Sequence, residues 1–137
     1  MYQGMEWSTN VANVVVVDDD PTNTTLIKML LEIEGFSVTT SADLVEARAA
    51  IRESTDAFLI DCHLARGVSG LDLVREIRSG ETLAAQDCVV IVTSGDVRRD
   101  QDAWDAGADL FLLKPYKPDL LYTKLDELLL AKRENGN

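Results

Sequence analysis

Apolar positions in this chain come in short blocks, and their spacing switches between unbroken or alternating runs and runs of period 3.6. Residues 14–17 are four valines within "VANVVVVD" (11–18); a β-branched run without a polar face reads as a strand covered on both sides, as in parallel sheets. Helix signals follow at once. Asp20 can cap, Pro21 suits a first helical position, and Leu26, Ile27, Leu30, Leu31 and Ile33 carry helical spacing up to a stop at Gly35. "FSVTT" (36–40) alternates like a partly exposed strand, after which Ser41 or Asp43 can cap "ADLVEARAAIRES", whose stripe is Leu44, Ala47, Ala50 and Ile51. Next come a buried strand "AFLID" (57–61), a helix "LDLVREIRS" (71–79) closed by Gly80, and a second buried strand "CVVIVTS" (88–94). A helix "RRDQDAWDA" (98–106) closed by Gly107, a strand "LFLL" (110–113) and a long helix over 118–133 complete the pattern. In that last helix Leu121, Leu125 and Leu128 are expected to be core.

Strict alternation of strands and helices predicts a single α/β domain, a right-handed, doubly wound parallel sheet with helices on both faces. Ligands in such sheets gather at the carboxyl ends of the strands. There the sequence is polar: the first strand ends in Asp18 and Asp19, the third in Asp61, the fourth in Thr93 and Ser94, the fifth in Lys114. The second ends in Thr39 and Thr40, which fits an edge strand away from the site.

Composition narrows the options. The 137 residues, 46% hydrophobic and 27% charged, suffice for one domain with an ordinary core. A formal charge of −11 argues against direct nucleic-acid binding and against docking on an anionic membrane. No apolar run approaches the roughly 20 residues of a membrane span, and "MYQGMEWSTN" lacks the features of a signal peptide; a cytoplasmic location is expected. Cys62 and Cys88, beyond one strand end and at a neighbour's start, are expected to be free thiols about a strand length apart.

Carboxylates crowded at one sheet edge repel unless a cation joins them. An all-oxygen, partly hydrated set suits Mg2+. No EF-hand loop points to calcium, no P-loop or G-x-G-x-x-G to a nucleotide, and His63 beside Cys62 has no second ligand pair for zinc. With Lys114 as a point charge for phosphate and Thr93 as a hydroxyl donor, the residues form a set for phosphoryl transfer, in which a carboxylate can be the nucleophile. Singly, each has a plainer role: Asp20 as a helix cap, Thr93 as a strand residue, Lys114 as a solvated charge.

The pieces "VVVVDDDP", "FLIDCHL", "SGLDLVREIR", "VVIVTS" and "AGADLFLLKPY", with the closing Leu-rich helix, resemble in order and spacing the receiver domain of two-component response regulators, from about Val11 to Ala131. The resemblance implies a flavodoxin-like domain over 11–131 with strand order 2-1-3-4-5, between an N-terminal extension (1–10) and a polar tail (132–137). It implies that Asp61 accepts phosphate from a sensor histidine kinase or phosphotransfer protein, and that the chain catalyses only its own phosphorylation and dephosphorylation. Asp18, Asp19, Asp61 and the His63 backbone carbonyl would hold Mg2+. Thr93 and Lys114 would bind the phosphoryl group, Thr93 and Phe111 would form the switch, and Lys114–Pro115 would be a cis peptide. His63 and Gly95 stand where the family tunes dephosphorylation. Trp104 and Phe111 would face partners, including a homodimer through the fourth helix, fifth strand and fifth helix. One departure is Leu64-Ala65, where the family often has Met-Pro, in a slightly longer loop before Gly70.

Two rivals stay open at this point. "VVVVDDDPT" also carries the hydrophobic-D-x-D-x-T pattern of haloacid dehalogenase-like phosphatases through Asp18, Asp20 and Thr22, with "SGDVRRDQDAWDAGA" mimicking their later acidic motif. Against it, Lys114 follows that motif, a cap domain has no room, and Asp61 is unused. The second rival is a degenerate receiver acting only as an interaction module, which would normally lack Asp61 or Lys114.

Overall fold

The computed structural model describes residues 11–135. Its strands are β1 (Asn13–Val17), β2 (Ser37–Ser41), β3 (Ala57–Asp61), β4 (Val89–Ser94) and β5 (Leu110–Leu113). Its helices are α1 (Pro21–Ile33), α2 (Leu44–Ala50), α3 (Leu71–Arg78), α4 (Asp100–Ala106) and α5 (Pro118–Asn135). The strands form one parallel sheet in the order β2-β1-β3-β4-β5. This is the flavodoxin-like doubly wound fold that the alternation and the resemblance predict.

Side-chain alternation along the strands splits the interior into two layers. Val15, Val17, Phe58, Ile60, Val90 and Val92 pack under α2, α3 and α4. Val14, Val16, Leu59, Val89, Ile91 and Leu112 pack under α1 and α5, joined by Leu121 and Leu125, with Leu128 half-buried beside them. Cys62 and Cys88 are buried free thiols; burial raises both, Cys88 to about 11.

Local chemistry sets the element ends. Asp20 Oδ1 accepts from the Thr22 and Asn23 backbone N–H groups and starts α1 with Pro21 behind it. Of the two candidate caps for α2, Asp43 acts, accepting from Glu46 N at 2.8 Å. Ser41 instead closes β2, because pairing with β1 runs from Asn13–Ser37 to Val17–Ser41 and shifts the strand one residue beyond the expected 36–40. The helix expected from Arg98 starts at Asp100: Val97–Arg99 is a 3-10 turn, since Asp96 both caps Arg98 N at 3.0 Å and grips its guanidinium. α5 runs through residues 132–135 of the expected tail. In α1 only part of the expected stripe is core. Ile27 and Leu31 are buried, whereas Leu26 and Ile33 are 50% and 75% exposed along a cleft between α1 and α5.

Candidate functional site

Parallel register sets the site at the carboxyl edge of the sheet. β3 ends in Asp61, paired with Thr93 of β4, and Lys114 follows β5 with its N–H on the Ser94 carbonyl at 2.8 Å. Asp18 and Asp19 leave the end of β1, which is hydrogen-bonded on one side to β2 and on the other to β3. Carboxylate oxygens of Asp18, Asp19 and Asp61 lie within 4.8 Å of one another. Asp18 and Asp61 are buried and Asp19 is exposed, so the cluster opens to solvent on one side.

Lys114 sits in the middle. Its Nζ donates to Asp61 Oδ2 at 2.8 Å and to Asp18 Oδ2 at 3.1 Å. Burial opposes its charge, but the bond to Asp61 and the fields of Asp61 and Asp18 outweigh that and hold the amine above its ordinary value. The other carboxylate oxygens are also engaged: Asp61 Oδ1 accepts from His63 N at 3.1 Å, and Asp18 Oδ1 from Asp20 N at 2.9 Å. Three acidic groups against one ammonium leave a formal excess of two negative charges. An all-oxygen donor set with that excess fits a hard divalent cation such as Mg2+.

Backbone supports this edge. Gly70, which precedes α3, lies so close to β3 that a Cβ there would fall 2.0 Å from the Asp61 carbonyl oxygen. Between them the loop turns through Arg66, at a left-handed φ of 62°, and Gly67 at 73°. His63 is exposed on this loop and bridges to Ser69. Thr93 is buried at the strand end, and a Cβ on Gly95 would meet nothing within 4 Å. Lys114–Pro115 is cis, as expected. Phe111 is half-buried against the layer under α2–α4, and Trp104 on α4 is 44% exposed.

Residues 14–126 match the response regulator receiver domain family. The chain belongs to that family. Among curated relatives, the Chemotaxis protein CheY of Pseudomonas aeruginosa is 30% identical over 126 residues, 90% of this chain and 98% of that protein. The Transcriptional regulatory protein CpxR of Klebsiella pneumoniae is 31% identical over 117 residues, 85% of this chain and 48% of that protein. The chain thus spans about half the length of several curated relatives it matches. Among solved structures, a response regulator receiver domain protein from Clostridium thermocellum superposes with a TM-score of 0.79 at 29% identity, covering 90% of this chain and 98% of that one. A CheY-like receiver domain protein from Methanospirillum hungatei gives 0.81 at 25% identity, covering 92% and 99%. Receiver domains are signalling switches of two-component systems, and the acidic pocket described above lies in the matched region.

Two further residues belong to the receiver's pocket that the sequence pattern did not single out. Asn23, in the first turn of α1, donates its Nδ2 to Asp18 Oδ2 at 2.7 Å. Tyr116 stands two residues past Lys114, and burial pushes its hydroxyl up to about 12. Asp20, essential to the phosphatase pattern, is committed to capping α1. Among the described residues, no helix is long and apolar enough to cross a membrane.

Proposed function

We propose that this receiver domain is a phosphoacceptor switch in which Asp61 takes a phosphoryl group from a sensor histidine kinase or phosphotransfer protein. The supporting observation is Lys114 bridging Asp61 and Asp18 inside a pocket of converging carboxylates. An Asp61 carboxylate oxygen attacks phosphorus, the phosphorus–nitrogen bond of a phosphohistidine protonated on its other ring nitrogen breaks, and neutral imidazole leaves with the bonding electron pair. Lys114 releases Asp61 and pairs with the phosphoryl oxygens, while the Thr93 hydroxyl donates to one of them. Asp18, Asp19, Asp61 and the His63 carbonyl would hold Mg2+, whose chemistry here is to offset charge on the transferring group.

Movement of Thr93 toward the phosphate opens space for Phe111 to turn inward and shifts the population between two surface shapes. The exposed Trp104 beside that surface supports α4, β5 and α5 as the partner face, for another protein or for a second receiver. The cellular site is the cytoplasm, where such a kinase presents its phosphohistidine. The domain begins near residue 11, its last helix runs on to Asn135, and it catalyses only its own phosphorylation and dephosphorylation. With a charge of −11 it makes no direct nucleic-acid contact.

Acyl-phosphate lifetime depends on His63 more than on Gly95, which offers no side chain to an attacking water; an unchanged hydrolysis rate in His63→Ala would reject this. The reading as a whole is tested by incubating the chain with acetyl phosphate. Phosphorylation is expected with Mg2+, abolished by EDTA and absent from Asp61→Asn; label on Asp61→Asn equal to wild type would overturn it.

A further inference from the structure

We propose that Asn23 is a positioning residue for Asp18, keeping that carboxylate aimed at a divalent cation once Lys114 has turned away to the phosphoryl group; this rests on the phosphoacceptor reading above. In a helix each side chain leans back toward the N-terminus, so Asn23, in the first turn of α1, reaches back over the β1–α1 connection to Asp18. Asp18 is 5% exposed and has three donors. Oδ1 accepts from Asp20 N at 2.9 Å, and Oδ2 accepts from Asn23 Nδ2 at 2.7 Å and from Lys114 Nζ at 3.1 Å.

These donors differ in kind. Lys114 carries a full charge, competes electrostatically with any cation for Asp18, and has to leave when phosphate arrives. The Asp20 and Asn23 groups are neutral, so they fix the carboxylate without cancelling its charge. Without Asn23, the departure of Lys114 would leave Oδ2 with no donor and the side chain free to rotate about its one remaining bond. Two oxygens offer about four lone-pair sites. Three are filled now, and Lys114 vacates one on the oxygen that Asn23 holds still. Partners that orient a metal-binding carboxylate typically change metal affinity about 10- to 100-fold when removed.

The test uses the full chain, with magnesium chloride as the probe in titration calorimetry. Asn23→Ala removes donor and volume, while Asn23→Leu removes the donor but keeps the volume, next to Leu26 and Tyr116 in the α1–α5 cleft. Both variants are expected to bind Mg2+ about 10-fold or more weakly, and the rate of phosphorylation by acetyl phosphate should recover toward wild type at saturating Mg2+. Wild-type Mg2+ affinity in both variants, or in the Leu variant alone, would overturn the assignment. A wild-type chain that binds no Mg2+ and takes no phosphate at Asp61 would remove the phosphoacceptor reading and this inference together. Binding and phosphorylation in wild type alongside indistinguishable variants would remove this inference alone.

Discussion

Replacing Lys114 by Met, similar in length but uncharged, isolates what one amine does among converging carboxylates. Lys114 Nζ lies 2.8 Å from Asp61 and 3.1 Å from Asp18, with its own side chain 28% exposed. Removing one partner from a fully buried ion pair costs about 3–5 kcal/mol, because the other charge stays behind unpaired. In addition, two carboxylates some 5 Å apart repel by about 3 kcal/mol at an effective dielectric constant near 20. Solvent reaches the amine and Asp19, and its screening reduces the loss. We expect Lys114→Met to lose about 2–3 kcal/mol in EDTA, a fall of roughly 10 °C in Tm for a chain this size. Mg2+ restores positive charge to the same oxygens, and in the variant it does not have to displace an ammonium. The deficit should therefore shrink in excess Mg2+. Urea denaturation followed by circular dichroism, with and without Mg2+, measures both quantities. Equal stability of the two proteins in EDTA, or Mg2+ stabilising wild type as much as the variant, would refute the reasoning.

Other consequences follow from the same geometry. Asp20→Ala should lose about 1 kcal/mol through the missing helix cap yet still be phosphorylated at Asp61, whereas a phosphatase using Asp18 and Asp20 would lose its chemistry; thermal melts and acetyl phosphate labelling read both. Gly70→Ala forces a Cβ against the Asp61 carbonyl and should cost about 2–3 kcal/mol, visible as a lowered melting temperature. Burial raises the Cys88 thiol from 9.0 to about 11, so the folded state holds that proton more firmly than the unfolded chain. Its contribution, up to about 2–3 kcal/mol, is complete below pH 9 and lost as pH climbs toward 11. Cys88→Ala should flatten the stability profile over that window, and an unchanged slope would count against it.

Much of this was readable from pattern alone because strands buried on both faces and helices with one apolar stripe leave opposite periodicities. The chemical residues were readable for a related reason. Asp18, Asp61, Thr93 and Lys114 interrupt apolar strands at equivalent ends, so topology alone brings them together. What escaped the sequence depended on three-dimensional partners. Ser41 looks like a cap until pairing with Val17 takes it into β2. Leu26 and Ile33 share helical spacing with Ile27 and Leu31, but α5 packs too far to one side to cover them. Asn23 reads as an ordinary first-turn polar residue, and only the approach of its amide to Asp18 across the β1–α1 connection gives it a role. The start of α4 turned on Asp96 gripping Arg98, a local bond that competes with the helix.

The central claim is that Asp61, and no other carboxylate of the pocket, carries the phosphoryl group. Treating the chain with acetyl phosphate and Mg2+, trapping the acyl phosphate by borohydride reduction and sequencing the peptides by mass spectrometry would locate it. The account predicts reduction to homoserine at position 61 alone, dependent on Mg2+. Modification at Asp18, or none anywhere in the chain, would contradict it.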